Sequence, residues 1–165
     1  TQAADALRFI GKLLDPSTTN TPIPNGPLRR RHIEMMDENV GVLRTETGLN
    51  TMLKEITRCK EEDLSRVRVF DHSRLFNYEL RDVLEMFYRI SIEEIATRAA
   101  LLRQESRGTH FREDFPTRDD DTWLRNIRFR LTTEGELVNE FKKVEQSVLL
   151  LNDLPTYAKQ KTPWH

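Results

Sequence analysis

The residues best suited to chemistry are concentrated in one charged segment, Gln104–Trp123, whose sequence is QESRGTHFREDFPTRDDDTW. It holds three arginines, one histidine and six acidic residues, but only one glycine and one proline. A segment with so few apolar groups cannot build a core of its own, so its order depends on charges that pair with each other or with neighbouring elements. It is therefore either a structured polar loop or a solvated hinge.

Two kinds of site could be built from this segment. Oxygen and nitrogen side chains could hold a hard metal ion, as in a metal-dependent hydrolase. Guanidinium groups could instead hold a carboxylate or phosphate, because their paired N–H donors match the oxygens of such anions. The candidate metal ligands are His110, Glu113, Asp114 and Asp119–Asp121, and the candidate anion-binding residues are Arg107, Arg112 and Arg118.

Charge counting favours a third interpretation, in which the segment pairs with itself. The arginines from Arg103 to Arg118 lie among six acids, and Glu105, Glu113, Asp114 and Asp119 are available as partners. We therefore expect ion pairs, with Arg107 and Asp114 holding the segment in shape. Gly108 is predicted to take the left-handed position just past a helix. Pro116 is predicted to keep its neighbours extended.

Composition limits the partners and the compartment. The chain has 165 residues, 26 basic and 27 acidic, so its net charge of −1 gives no field that would attract nucleic acid or an anionic membrane. Its single cysteine rules out an internal disulfide and a thiolate metal cluster, and favours a reducing compartment. We therefore expect no nucleic-acid partner. We also expect no direct membrane insertion, because the apolar runs are too short to span a membrane.

The known nucleotide and zinc signatures are missing from the sequence. The six glycines are not spaced as in a dinucleotide-binding or Walker loop, and neither HExxH nor GxSxG is present. The chain therefore carries no self-contained nucleotide or zinc site.

Hydrophobic periodicity predicts a mainly α protein: a three- to four-helix antiparallel bundle followed by a small β-hairpin and an extended tail. A proline-rich segment, Asp15–Pro27, marks a boundary. It divides the chain into a short helix with linker (1–26), a helical domain with hairpin (27–144) and a tail (145–165). The predicted helices are Ala3–Leu14, Leu28–Leu43, Glu46–Asp63 and Ser73–Gln104, the strands Trp123–Leu131 and Leu137–Val144, and Ser65–His72 an extended connector.

Several single residues carry expectations of their own. An internal capping pattern at Ser91 predicts a break or kink in the longest helix near Ile90 and Ser91. Cys59 is expected to be a small core residue, and His32 a partly buried or surface side chain. The aromatic residues expected in the core are Phe76, Tyr78, Phe87 and Tyr88, and the inward stripe of the second helix is Ile33, Met36, Val40 and Leu43.

The string ALLRQESRGTHFREDFPTRDDDTWLRNI resembles the C-terminal domain of the flavoprotein subunit of succinate dehydrogenase and fumarate reductase. Relatives include L-aspartate oxidase and the alpha subunit of adenylylsulfate reductase. Met35–Leu49 resembles the segment by which the family enters its helices. The likeness covers Pro27–Val144. Two segments, Asp15–Pro27 and Glu145–His165, depart from the family. The motif residues are Glu105, Ser106, Arg107, Gly108, His110, Arg112, Asp114, Pro116 and Trp123.

The resemblance implies an FAD-dependent oxidoreductase of the succinate or fumarate type, in which a larger domain binds FAD and a capping domain closes over the dicarboxylate. No catalytic, cofactor-binding or metal-binding residue of the family maps onto this chain, so the motif implies a structural or interface role. The domain is expected to be inactive alone. It is expected to be either a piece excised from such a flavoprotein or a separately encoded chain. Its expected partners are an FAD-binding domain, in the same protein or a separate chain, and an iron–sulfur subunit. The implied location is cytoplasmic, peripheral to a membrane through partner subunits.

A different class of function stays open at this point. The same helices could form a free-standing protein-interaction module without a redox partner. Co-purification with a flavin-binding chain would distinguish the two.

Overall fold

The computed structural model describes residues 2–15, 17, 19, 21–73 and 75–144. A π-helical turn at Cys59–Asp63 extends the third helix. The elements in chain order are α1 (Gln2–Leu14), α2 (Asn25–Val40), β1 (Leu43–Arg44), α3 (Glu46–Arg58), α4 (Tyr78–Leu102), β2 (Phe111–Arg112), α5 (Asp120–Trp123), β3 (Arg125–Leu131) and β4 (Leu137–Lys143).

Helices α2, α3 and α4 pack against one another around the hydrophobic core. The buried apolar residues of α3 and α4 repeat every three or four residues, so they face one side of each helix. This confirms the predicted mainly α bundle. The central core residues are Leu49, Met52, Ile56, Cys59, Val83, Met86 and Ile90, with Val67 and Val69 from the connector.

Short polar side chains set the helix starts. Thr45 Oγ1 accepts a hydrogen bond from the amide of Gly48 at 3.1 Å, and Asn77 Oδ1 accepts one from Leu80 at 2.7 Å.

Helix α2 ends just before Gly41, where a Cβ would lie 2.4 Å from the carbonyl oxygen of Asp37. A larger residue there would force the backbone apart.

The connector before α4 is extended, as predicted, and it is hydrogen-bonded to the end of α1. Ile23 pairs with Val67, and the amide of Val69 donates to the carbonyl of Leu13 at 2.8 Å. Phe9 of α1 meets Phe87 of α4 edge to face, with ring centroids 5.0 Å apart. Helix α2 begins at Asn25, inside the proline-rich stretch of the sequence.

The predicted hairpin is present as strands β3 and β4, which pair antiparallel from Arg125 opposite Lys143 to Leu131 opposite Leu137. Gly135 has φ 85° at the turn, where a residue with a side chain would be strained. The amide of Gly135 donates to the carbonyl of Thr132 at 3.0 Å. The predicted extended tail, Glu145–His165, lies outside the described residues.

Of the expected break or kink near Ile90 and Ser91, the break is wrong, because α4 runs unbroken from Tyr78 to Leu102. The hydroxyl of Ser91 donates to the carbonyl of Phe87 one turn back, at 3.2 Å, rather than capping a new helix. Ile90 is fully buried in the core and fixes the helix there.

The expectation that four aromatic residues lie in the core holds only for Phe87. Phe76, Tyr78 and Tyr88 are mostly exposed. Tyr88 is on the outer face of α4 because Met86 and Ile90 supply the buried stripe. The predicted stripe of α2 is also too wide, since Ile33 and Leu43 are exposed.

Candidate functional site

The charged segment is an ordered loop anchored to the bundle by a parallel strand pair. In this pair Leu43 lies opposite Phe111 and Arg44 opposite Arg112. The amide of Glu113 donates to the carbonyl of Arg44 at 2.9 Å, and Asp114 accepts from the amide of Glu46 at 3.0 Å. The loop therefore attaches to the connection between α2 and α3.

Arg112 is buried at the centre of this attachment, with 1% of its surface exposed. Its Nη1 donates to the carbonyls of Ala100 and Leu101, at 2.8 and 3.1 Å. These carbonyls lie in the last turn of α4, where a cation also complements the helix dipole. Arg112 forms two parallel hydrogen bonds with Asp114, which compensate its charge. Those bonds lower the pKa of Asp114 below its usual value of 3.8.

Glu105 is the second centre of charge and is completely buried. Its carboxylate accepts from Arg103 at 2.5 Å, from Arg107 at 2.7 and 3.0 Å, and from the amide of Asp119 at 2.9 Å. Arg107 also pairs with Asp120 at 2.7 Å, and Arg118 pairs with the same carboxylate. Each of the three candidate anion-binding arginines thus has a carboxylate partner inside the loop.

The other motif residues shape the loop. The buried hydroxyl of Ser106 donates to the carbonyl of Phe115 at 2.8 Å and accepts from the amide of Arg112 at 2.9 Å. Pro116 is exposed next to this contact.

Gly108 has φ 58°, as expected for a left-handed residue, but the predicted position is wrong. Helix α4 ends at Leu102, and Gly108 instead opens a tight turn in which Arg107 and His110 exchange backbone hydrogen bonds of 2.8 and 3.0 Å. A side chain at Gly108 would strain this turn.

Trp123 lies in the short helix α5 rather than in the first strand. Its ring meets Phe141 edge to face at 5.9 Å, and the guanidinium of Arg125 lies 4.6 Å from the centre of the Trp123 ring and 4.1 Å from that of Phe141. These contacts join the hairpin to the charged loop.

His110 contacts Arg44, a residue outside the segment that sequence reasoning missed. The Nη1 of Arg44 lies 2.6 Å from Nδ1 of His110, and its Nε donates to the carbonyl of Val40 at 3.0 Å. Burial, followed by the charge of Arg44, lowers the pKa of His110. The only signal in the sequence was an arginine three residues after Gly41, the glycine at the end of α2.

A second buried polar group lies between α2, α3 and α4. His32 is completely buried, contrary to the expectation of a partly buried or surface side chain, and its Nδ1 lies 2.8 Å from the buried carboxylate of Glu93. Glu55 lies 3.7 Å from Nε2 of His32, and burial raises the pKa of Glu55. Glu93 lies three residues after Ile90 on the buried face of α4, which is the signal that could have revealed the pair.

The residues proposed as metal ligands do not converge. Nδ1 of His110 is bonded to Arg44, Asp114 is bonded to Arg112, and Glu113 is exposed. Within the described ranges, no three histidine, cysteine or acidic side chains come together as metal ligands would. Among the described helices, none combines the length and the apolar character needed to cross a membrane.

An apolar groove of about 800 Å³ runs along the outer faces of α2 and α4. Its exposed apolar residues are Ile33, Tyr88 and Ile92, with Met36 at the floor. Glu34, Asp37 and Glu85 lie along its rim. Exposed large side chains gathered in one place are typical of a surface that another protein element covers.

Comparison with known proteins decides the family. The model described as "Fumarate reductase flavoprotein C-term" matches residues 29–159, which is most of the chain. The chain belongs to this family. The match takes in the charged loop, and it confirms the resemblance to the flavoprotein subunits of succinate dehydrogenase and fumarate reductase.

Flavoprotein subunits of both fumarate reductase and succinate dehydrogenase are similar to this chain. The fumarate reductase flavoprotein subunit of Mycobacterium tuberculosis is 33% identical over 102 residues, covering 62% of this chain and 17% of the relative. The succinate dehydrogenase flavoprotein subunit of Rickettsia conorii is 30% identical over 125 residues, covering 74% and 20%. The chain therefore spans about a fifth of the length of these relatives.

Solved structures of the family share the fold. A variant of quinol fumarate reductase from E. coli has a TM-score of 0.77 at 26% identity, covering 90% of this chain and 25% of that chain. Adenosine-5-phosphosulfate reductase, a relative expected from the sequence, has a TM-score of 0.61 at 26% identity, covering 68% and 18%.

The family match extends farther than the sequence resemblance indicated. It continues past Val144 to residue 159, so the expectation that the whole tail departs from the family is wrong. The tail is polar and carries no motif as specific as the charged loop, which is why it gave no recognisable signal.

Proposed function

We propose that this C-terminal domain supports an FAD-dependent oxidoreductase of the succinate dehydrogenase and fumarate reductase type, without supplying a catalytic residue itself. The observation that carries the proposal is the pairing within the charged loop. Arg107, Arg112 and Arg118 each bind a carboxylate of the same loop. The motif residues therefore serve to hold α4, the hairpin and the start of α3 together, and to present the domain to its neighbours.

The described residues do not fit FAD. A bound pyrophosphate needs uncompensated donors, usually backbone amides of a glycine-rich turn at a helix start. The loop arginines are already paired, and α2, which has a glycine in its first turn, begins at a buried Asn25 with its side chain bonded to the carbonyl of Asp82. We propose that another domain or chain holds the FAD of the parent protein.

The apolar groove of α2 and α4 is the proposed contact with that FAD-binding part. Relatives are about five times longer than the matched region, so most of such a protein lies outside this chain. Tyr88 and Ile92 are 73% and 65% exposed in the groove, and covering them would be favourable by about 25 cal/mol per Å². An iron–sulfur subunit is proposed as the partner that receives electrons, with the flavoprotein peripheral to the membrane.

A co-purification experiment tests this proposal. The chain is expressed with an FAD-binding chain of the family, and Tyr88→Glu and Ile92→Glu are compared with Tyr78→Glu, an exposed tyrosine that is not part of the groove lining. We expect the groove variants to lose the flavoprotein and the control to keep it. A visible flavin absorbance band in the chain purified alone would contradict the proposal, as would equal binding by all variants.

A further inference from the structure

A second pocket shares Met36 with the apolar groove and opens between α4, the end of α2 and the hairpin. It has a volume of about 480 Å³. Its polar lining comes from Arg44, Arg103 and His110, and three alanines of α4 leave the space open: Ala96, Ala99 and Ala100. No acidic residue is among the described residues that line it.

The hydrogen bond between Arg44 and His110 fixes the proton on the imidazole. A guanidinium can only donate, so Nδ1 of His110 must accept, at 2.6 Å from Nη1. The neutral ring then carries its proton on Nε2. Burial and the adjacent Arg44 charge keep the ring neutral by lowering its pKa.

That Nε2–H is a donor without an acceptor in the part of the chain that the structure describes. Nε2 of His110 is buried, and no described group forms a hydrogen bond with it. The carbonyl of Arg103 lies near enough to the ring to favour its protonated form, but it does not meet the geometry of a hydrogen bond with Nε2. An unpaired buried donor is unfavourable, so an acceptor at this position would stabilise the site.

The charge of the pocket has the matching sign. Arg103 is compensated by Glu105, but Arg44 is half-buried and pairs with no carboxylate among the described residues. Its bonds within the domain go to the neutral acceptors Val40 O and His110 Nδ1. The pocket thus holds one uncompensated positive charge beside one unpaired N–H donor.

We propose that this pocket binds a carboxylate, which accepts a hydrogen bond from Nε2 of His110 and pairs with the guanidinium of Arg44. The alanines of α4 provide the room, and the two donors select an anion over a neutral amide. The carboxylate can come from a free small acid or from an acidic side chain of the FAD-binding part. The second source rests on the proposed function, but the chemistry of the pocket does not.

Nitrogen-15 NMR of His110 in the full 165-residue chain tests the proposal, with succinate and acetate as probes. We expect a saturable shift of the His110 ring nitrogens and an upward shift of its pKa, because a bound anion favours the protonated ring. Succinamide, the neutral analogue, is expected to cause neither change.

Two arginine variants provide the matched comparison. Arg44→Gln is expected to weaken succinate binding at least about tenfold, because it removes a charge-assisted hydrogen bond. Arg29→Gln, an exposed arginine on α2, is expected to leave the binding unchanged. If Arg44→Gln does not fold, the wild-type titration of His110 with succinate, acetate and succinamide tests the proposal by itself.

Three results would overturn the proposal: no His110 shift with either carboxylate, an equal shift with succinamide, or unaltered binding in folded Arg44→Gln. A final titration in the presence of an FAD-binding chain identifies the source. If that chain shifts His110 and blocks succinate, the natural carboxylate is one of its side chains; if succinate still binds, a free acid fills the pocket. Both results support the carboxylate site, whereas failure of the chains to associate would contradict the proposed function alone.

Discussion

Arg112 and Asp114 form a bidentate ion pair, in which Nε lies 2.7 Å from Oδ1 and Nη2 lies 2.7 Å from Oδ2. Arg112 also donates to a carbonyl in the last turn of α4, and Asp114 accepts from the first amide of α3. The pair therefore connects the end of one helix to the beginning of another through a loop that contributes little to the hydrophobic core. The stability of the domain should depend on it.

Replacing Arg112 with methionine is expected to lower the free energy of unfolding by about 3 kcal/mol. The change leaves the carbonyls of Ala100 and Leu101 without a buried donor and Asp114 without its partner. Urea denaturation followed by circular dichroism gives the value. Arg130→Met, on the exposed side of β3, is the control and should change stability by less than about 0.5 kcal/mol. Equal losses in the two variants would contradict the role of Arg112.

Asp114→Asn is expected to cost about 1–2 kcal/mol at neutral pH and almost nothing in acid. Hydrogen bonds from Arg112 lower the pKa of Asp114 from 3.8, so the folded state releases this proton more readily than the unfolded state. The stabilisation is complete above 3.8 and is lost as the pH falls through the lower native pKa.

Denaturation curves of wild type and Asp114→Asn, measured from neutral pH to about pH 2, should therefore converge. Asp121→Asn, which replaces an exposed aspartate in α5, serves as the control and should follow the wild type throughout. A difference between wild type and Asp114→Asn that stays constant with pH would show that the carboxylate charge does not matter.

His32→Phe is expected to destabilise the domain by about 3–5 kcal/mol. The variant keeps an aromatic ring in the bundle but leaves the buried carboxylate of Glu93 without its partner at 2.8 Å. His72→Phe, in the exposed part of the connector, is the matched control and should be close to neutral. Thermal unfolding of both variants measures the difference, and an unchanged His32→Phe would mean that the buried pair contributes nothing to stability.

Cys59 should resist alkylation in the native protein. Its side chain is fully buried, and burial raises the pKa of the thiol to about 12, with Asp63 and Glu55 adding to the effect. Because the thiolate is the reactive form, labelling by iodoacetamide near pH 8 should be slower than for an exposed cysteine by about a thousandfold. Mass spectrometry with and without denaturant tests this, and rapid native labelling would contradict it.

The bundle and hairpin could be predicted from the sequence because their signals are local. The spacing of Leu49, Met52 and Ile56 is sufficient to predict an amphipathic helix, and an acid–glycine turn between alternating segments is sufficient to predict a hairpin. That the arginines of the charged segment pair with its own acids could also be expected, because charge counting within one segment does not require a fold; the specific pairing of Arg112 with Asp114 could not.

Contacts between distant residues could not be read in the same way. Arg44 and His110 meet because a strand pair brings them together, and His32 meets Glu93 because α2 packs on α4. The periodicity of α4 places Glu93 on the buried face, but it does not show which residue of another helix lies opposite it. The outward direction of Tyr88 was missed for a related reason, since hydrophobic type alone does not show which face of a helix its neighbours will cover.

The parallel pairing of β1 with β2 has a consequence for the order of folding. Leu43 and Phe111 are separated in the chain by α3 and α4, so closing the loop between their strands is costly, and we expect the strands to pair after both helices have formed and packed. The charged loop should therefore gain its structure last, during the final step of assembly. We expect a nascent chain that has emerged only as far as Leu102 to have formed its helices. It would still lack the strand pair of β1 and β2, which connects the helix ends.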